Sequence, residues 1–218
     1  MARRLQGFDA PTVWHEITPM AVKYKSENLG QGFPDWESPD FVKQAMIDAV
    51  NDNANQYCRS GGDLPLVEAL SKHYSPLVGR EIDPLTEITI SVGATGALFA
   101  IMQSILNPGD EVVALEPAFD IYPAQVQMAG GICKLVPLRL DRTTGVWAVD
   151  MSELEAAITP QTKILLINTP HNPTGKVFTR DELMVIAEIL QRHPHVTAVM
   201  DEVRAISYRY TNKHTDIP

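Results

Sequence analysis

A short apolar run, Ile164–Ile167, ends in a turn that contains two prolines, Pro170 and Pro173. Four apolar residues that stop at turn residues are typical of a strand buried on both faces of a parallel sheet. Proline interrupts helix and removes a backbone donor, and Asn172, just before Pro173, is biased towards an extended conformation. The turn therefore presents an amide side chain at the carboxyl end of a buried strand, where open α/β sheets bind ligands. The alternative is an ordinary strand-to-helix loop, capped by Thr179.

Strand and helix patterns alternate along most of the chain. Helices with one apolar face separate the predicted strands, which are Glu87–Val92, Glu111–Leu115, Ile132–Leu138, Val146–Ala148, Thr162–Ile167 and Val196–Met200. This alternation predicts an α/β fold with a mostly parallel sheet and helices on both faces. Residues 1–38 lack a sustained period and are predicted to form an arm with a short helix near Trp14–Lys25.

Composition and charge exclude several classes of partner. The 218 residues are 44% hydrophobic and 21% charged, which suits a globular protein of one large domain or slightly more. A net charge of −9 argues against binding nucleic acid or an anionic membrane. The two cysteines, Cys58 and Cys133, have neither metal-site nor disulfide spacing, so we expect no metal and a reducing compartment. Without a signal-peptide core or a membrane-length apolar run, we expect a cytoplasmic location, with the mitochondrion as the alternative.

A glycine turn, Gly93-Ala94-Thr95-Gly96, follows the first predicted strand and precedes a helix. Such a turn aims backbone N–H groups and the positive end of the helix dipole outward, which is how helix N-termini bind phosphate. Many strand-to-helix turns carry glycine and bind nothing, so the turn alone does not decide the question.

Three other side chains have two interpretations each. Phe119, at the carboxyl end of a predicted strand, is either a core residue or a flat plate stacked on a ring. Asp201, which ends the last predicted strand, is either a helix cap or a ligand-binding carboxylate. Tyr57 is either a half-buried packing residue or a residue that binds something.

The string Asn168–Phe178 closely resembles the Asn-Pro-x-Gly segment of the class I and II pyridoxal-phosphate (PLP) aminotransferases. The resemblance covers residues 10–203 and is closest to the group of kynurenine aminotransferases and cysteine-S-conjugate β-lyases, also called glutamine transaminase K. It implies the fold type I PLP-dependent transferase fold. Residues 1–38 would be the N-terminal arm and substrate strip, and residues 39–218 an incomplete PLP-binding large domain.

The resemblance also implies a role for each matching residue. The cofactor PLP would be held at its phosphate by Gly93, Ala94 and Thr95, at its ring by Phe119, at its phenolic oxygen by Asn172 and at its pyridine nitrogen by Asp201. In the family's homodimer, Tyr57 would reach the phosphate of the partner's cofactor. The amino-acid substrate would contact Gly32, Trp14 and Asn172. The implied reaction is transamination of L-amino acids such as kynurenine or glutamine to 2-oxo acids, with β-elimination from cysteine S-conjugates as a side activity.

The sequence also departs from the family pattern. Arg204 stands where the family has a tyrosine after Asp-Glu-Val, and no segment matches the one that carries the Schiff-base lysine. We therefore predict no catalytic lysine, expect Lys176 to be solvated, and expect an inactive, C-terminally truncated fragment. The alternative is a non-catalytic PLP-cradle protein that binds or regulates a full-length subunit. An unrelated nucleotide-binding domain is disfavoured, because no Gly-x-Gly-x-x-Gly follows the first strand.

Truncation would also affect the sheet. In the implied fold the sheet has seven strands, and the two that separate the first from the fifth would lie beyond residue 218. We therefore expect Ile88–Val92 to lack partners and the last predicted strand to be an open edge.

Overall fold

A five-stranded sheet organises the larger of two compact units in this protein. The computed structural model describes residues 2–8, 11, 13–30, 32 and 36–204. One unit comprises Met1–Phe8 with Val92–Pro218, and the other comprises Asp9–Ser91. Part of the predicted substrate strip and everything after residue 204 lie outside the described residues.

The sheet has the strand order β3-β2-β1-β4-β5. Its strands are β1 (Glu111–Glu116), β2 (Ile132–Asp141), β3 (Val146–Val149), β4 (Thr162–Asn168) and β5 (Thr197–Asp201). The pairs β1–β2, β1–β4 and β4–β5 are parallel, and only the edge pair β2–β3 is antiparallel. The predicted mostly parallel sheet is therefore confirmed, and so is the short strand at Val146–Ala148.

Helices cover both faces of this sheet, as predicted. The helices of the unit are a 3-10 turn (Arg3–Leu5), α4 (Gly93–Ile105), α5 (Ile121–Met128), α6 (Met151–Ala156) and α7 (Arg180–Arg192). Leu154 of α6 and Ile189 of α7 pack with Val113 and Leu165 on one face. On the other face, the neighbouring strand residues Val112 and Ile164 pack with Met102 of α4 and Val126 of α5. Because side chains alternate along a strand, the continuous apolar runs of β1 and β4 supply both cores.

Local capping explains where two of these helices begin. Asp150 precedes α6 and accepts hydrogen bonds from the N–H groups of Ser152 and Glu153. Thr179 and Glu182 form a complete capping box at the start of α7, as the sequence predicts. These contacts satisfy donors that a helix leaves unpaired at its first turn.

The prediction of a first strand at Glu87–Val92 is wrong. Residues 88–91 have no regular secondary structure, and no strand within the described residues pairs with them. In this segment the Ile90 N–H donates a hydrogen bond to the Gly61 carbonyl, 3.0 Å long. A β-branched, alternating sequence favours a strand but cannot form one without a neighbouring strand, and no described strand lies beside this segment.

The Asp9–Ser91 unit is helical. It contains α1 (Val13–Tyr24), α2 (Asp40–Asn51) and α3 (Leu64–Val78). All residues of α1 and α2 are described and none of them is buried, whereas α3 buries Val67 completely. None of the helices in the described part of the chain is long and apolar enough to span a membrane.

Candidate functional site

The carboxyl ends of β1, β4 and β5 meet the start of α4 around a cavity of about 260 Å³. Five of the predicted site residues line it: Ala94, Thr95, Phe119, Asn172 and Asp201. Leu98, Tyr122, Asn168, Val203 and Arg204 complete the lining. The residues come from four separate stretches of the chain, so the fold itself brings them together.

Asp201 is the buried carboxylate of the cavity, only 8% exposed. The Tyr122 hydroxyl donates to Asp201 Oδ2 over 2.5 Å, and the Val203 N–H donates to Oδ1 over 3.3 Å. Burial of the Tyr122 ring, together with its hydrogen bond to the Asp201 carboxylate, raises the pKa of the phenol far above its ordinary range. Tyr122 is therefore a permanent neutral donor that holds the carboxylate in one orientation.

Two asparagines organise the turn after β4. The buried Asn168 donates from Nδ2 to the backbone carbonyl of Asp201 (2.9 Å), and its Oδ1 accepts from the Asn172 N–H (2.6 Å). The Thr169 N–H also donates to the Asp201 carbonyl, at 3.1 Å. These bonds join the end of β4 to the end of β5. They also fix the backbone of Asn172, whose side chain lines the cavity.

The glycine turn forms the first turn of α4, so the helix begins earlier than the sequence predicts. Gly93 has φ +71°, a left-handed conformation that favours glycine. Ala94 and Thr95 line the cavity from the helix N-terminus, where the dipole is positive. Gln125 of α5 donates from Nε2 to the Thr95 carbonyl over 2.9 Å and so links the two helices. The turn has the features of an anion site.

Phe119 is partly a core residue, and its predicted stacking on the cofactor ring stays a prediction. It lines the cavity and also packs, partly buried, against the core between the sheet and α4. Its ring meets the Tyr122 ring edge to face, with the centroids 5.7 Å apart and the planes at 82°. This edge-to-face contact stabilises the orientation of the Phe119 ring at the cavity.

The prediction that Lys176 is solvated is wrong. Its ammonium group is buried, lies 2.6 Å from Glu182 Oε1 and 4.7 Å from the centre of the Phe178 ring. Sequence pattern places Lys176 in a turn, but Glu182 of the capping box draws the side chain back against α7. Lys176 is absent from the cavity lining and is engaged elsewhere.

Arg204 brings a positive charge to the cavity rim where the resembled family has a tyrosine.

Burial lowers the pKa of His171, and the charges of Arg204 and Lys176 lower it further. His171 is therefore neutral, and a hydrogen bond of 2.8 Å joins its Nδ1 to Thr174 Oγ1 inside the same turn.

Tyr57, Trp14 and Gly32, the other predicted site residues, belong to the Asp9–Ser91 unit. Tyr57 is fully exposed and Gly32 is exposed. Trp14 lines a groove of about 470 Å³ between α1 and residues 25–30. Their roles towards a substrate or a partner's cofactor stay predictions.

A family model described as aminotransferase class I and II matches residues 24–206. The chain belongs to the class I and II aminotransferases. This aminotransferase chain is 47% identical over 206 residues to the kynurenine–oxoglutarate transaminase of Dictyostelium discoideum, covering 88% of itself and 47% of that protein. It is 44% identical over 211 residues to kynurenine–oxoglutarate transaminase 1 of Rattus norvegicus, covering 93% of itself and 49% of the relative. It therefore spans about half the length of the curated relatives it matches.

Solved structures of aminotransferases share the fold. N-succinyldiaminopimelate aminotransferase from Mycobacterium tuberculosis is 38% identical, with a TM-score of 0.84 over 92% of this chain and 51% of that one. Aspartate aminotransferase from Rhizobium meliloti is 31% identical, with a TM-score of 0.81 over 92% and 50%. These neighbours have fold type I, so the predicted fold class is confirmed.

Class I and II aminotransferases depend on PLP, and the residues of the cavity fit that group. The buried carboxylate of Asp201 matches a protonated pyridine nitrogen, and it retains lone pairs beyond those used by Tyr122 and Val203. The N-terminus of α4 suits a phosphate, and the Phe119 ring at the cavity suits a flat aromatic group. Among the described residues, no cluster of side chains could hold a metal ion.

Three residues of the site, Tyr122, Asn168 and Gln125, were assigned no role from the sequence. Each donates a hydrogen bond to a residue 30 to 79 positions away. Of the three, Asn168 carried the best signal, because it is an amide at the carboxyl end of a buried strand.

Proposed function

We propose that this chain forms the PLP-binding cradle of an aminotransferase that converts L-amino acids to 2-oxo acids, with kynurenine or glutamine as the amino donor. The observation that carries the proposal is the buried Asp201 carboxylate, fixed by Tyr122 in a cavity that also contains the N-terminus of α4. The kynurenine–oxoglutarate transaminases among its relatives support the substrate class.

Each residue would act on a different part of the cofactor. When bound, PLP supplies an electron-withdrawing ring that delocalises the charge left at the substrate's α-carbon. Asp201 would hold a proton on the pyridine nitrogen, since a buried anion stabilises a neighbouring cation. Asn172 would donate to the phenolic oxygen, Phe119 would fix the plane of the ring, and the N–H groups of Ala94 and Thr95 would bind the phosphate.

A PLP titration of the 218-residue chain tests this proposal. We expect saturable binding, tighter for PLP than for pyridoxal, because only PLP carries the phosphate. Asp201→Ala should weaken PLP binding at least about tenfold, as expected for loss of a charge-assisted hydrogen bond. Asp181→Ala, in the exposed first turn of α7, is the matched control. Equal affinity of wild type and Asp201→Ala would refute the proposed cradle.

Binding should be non-covalent in this chain, because none of the lysines that the structure describes lines the cavity. Borohydride reduction followed by mass spectrometry should therefore give no single, stoichiometric pyridoxyl-lysine. With kynurenine or glutamine, we expect no turnover above that of free PLP. A specific modified lysine, or turnover above that background, would show that another lysine serves as the anchor.

The family resemblance also supports a homodimer in which Tyr57 reaches the phosphate of the partner's cofactor. Full exposure of Tyr57 in this chain leaves it available for that contact. Sedimentation equilibrium with and without PLP would detect dimerisation, and a strictly monomeric protein in both conditions would exclude this role.

The two cysteines and the absence of a disulfide framework support a cytoplasmic location.

A further inference from the structure

Gln125 is a polar side chain in an apolar position. It is only 4% exposed and lies on α5 between Tyr122 and Val126, both of which belong to the core between α5 and the sheet. Its Nε2 donates to the Thr95 carbonyl over 2.9 Å. This hydrogen bond ties α5 to the first turn of α4, the part of the helix that faces the cavity.

The oxygen of the same amide destabilises the fold. Gln125 Oε1 is buried and has no hydrogen-bond partner among the described residues. A buried acceptor without a partner destabilises a fold, and an apolar side chain of similar volume would avoid that penalty. Flipping the amide would only turn Oε1 towards the Thr95 carbonyl, an acceptor facing an acceptor. Stability alone therefore does not explain glutamine at this position.

The first turn of α4 needs an external tether. Thr95 lies between two glycines, Gly93 and Gly96, and glycine leaves a helix end less restrained than other residues do. Anchoring the Thr95 carbonyl from outside the helix restricts the rotation of the neighbouring peptide groups. The N–H groups of Ala94 and Thr95 then keep one orientation towards the cavity, and a preorganised donor pair binds an anion more tightly than a mobile one.

We infer that Gln125 is a positioning residue, which holds the first turn of α4 in the orientation that binds the cofactor's phosphate. It acts through Thr95 and does not itself line the cavity. This inference rests on the proposed function, because it assumes that the turn binds the phosphate of PLP.

The test is Gln125→Met, which keeps the length of the side chain and removes both the tether and the unpaired oxygen. The matched control is Gln127→Met, the same change in the same helix, where the amide reaches only the Gln6 carbonyl at 3.5 Å. PLP affinity, with inorganic phosphate as a competitor, is measured for both. Resistance to urea and exchange of the Phe99 amide, whose helical acceptor is the Thr95 carbonyl, are measured alongside.

We expect Gln125→Met to bind PLP about five- to tenfold more weakly, to exchange the Phe99 amide faster, and to resist urea as well as wild type or better. Weaker binding without lost stability is a result that a merely structural role would not give. Unchanged PLP affinity, or weaker binding that only parallels a loss of stability, would overturn the inference. If wild type bound no PLP, the proposed function would fail, and unchanged Phe99 exchange would separately refute the tether.

Discussion

At the scale of single residues, the site depends on hydrogen bonds between buried partners that are distant in sequence. The pair Tyr122–Asp201 shows this most clearly, since both side chains are buried and the sequence separation is 79 residues. We expect Tyr122→Phe to destabilise the protein by about 1.5–3 kcal/mol, the range for a hydrogen bond to a charged group. Urea unfolding measures this, with Tyr74→Phe in α3 as the control. A change below about 0.5 kcal/mol would mean that the Asp201 carboxylate does not depend on Tyr122.

Motif-based prediction reached only some of these residues. Asn172 lies in a recognisable string, and Phe119 and Asp201 lie at or just after the ends of predicted strands. The structure places all three around one cavity. Tyr122 and Gln125 lie within a helix and have no local pattern that separates them from core positions. Their partners are set by where the tertiary fold places α5 relative to α4 and to the end of β5.

At the scale of elements, the turn between β4 and α7 is stabilised by a charge pair. Burial opposes ionisation of Glu182, but hydrogen bonds from Lys176 and from the Thr179 N–H hold the pKa of its carboxyl below the ordinary 4.5. A carboxyl whose pKa falls on folding contributes stability that is fully present above pH 4.5. That contribution is lost as the pH falls through the lower pKa of the folded state.

Glu182→Gln should therefore be less stable than wild type at pH 7, and the difference should shrink as the pH is lowered from about 5 to 3. Urea unfolding across this range gives the difference directly. Glu188→Gln, at an exposed position of the same helix, is the control and should show little change at any pH. A stability difference that stayed constant with pH would contradict this account of the capping box.

Prediction of helices and strands succeeded where a local sequence signal determines the element. It failed where the element requires a neighbouring strand. The apolar runs of β1 and β4 and the capping box of α7 are local signals, and all three elements form. The segment Ile88–Val92 has equally good strand propensity, yet no described strand lies beside it. Strand formation depends on partners, so propensity alone could not predict this outcome.

At the scale of the whole molecule, stability is concentrated in one of the two units. Two apolar cores cover the faces of the sheet in the larger unit. In the described part of the Asp9–Ser91 unit, Val67 is the buried hydrophobic side chain, and large apolar residues such as Phe41 and Met46 of α2 are more than 70% exposed. A helix of 12 residues without a buried face is marginal in water, so α1 and α2 have little to stabilise them.

We therefore expect the amide hydrogen-exchange rates of the two units to differ strongly. Amides of β1 and β4 should exchange at least about a hundredfold more slowly than those of α1 and α2, a difference in opening free energy of about 3 kcal/mol. Ile88–Val92 should exchange with the fast group, because no described strand pairs with it to protect its amides. The measurement requires soluble, monomeric protein, since pairing at the open edge of β5 would add protection there. Slow exchange at Ile88–Val92 in such a sample would show that this segment is paired, and would mean that the glycine turn after it, the proposed phosphate site, follows a paired strand.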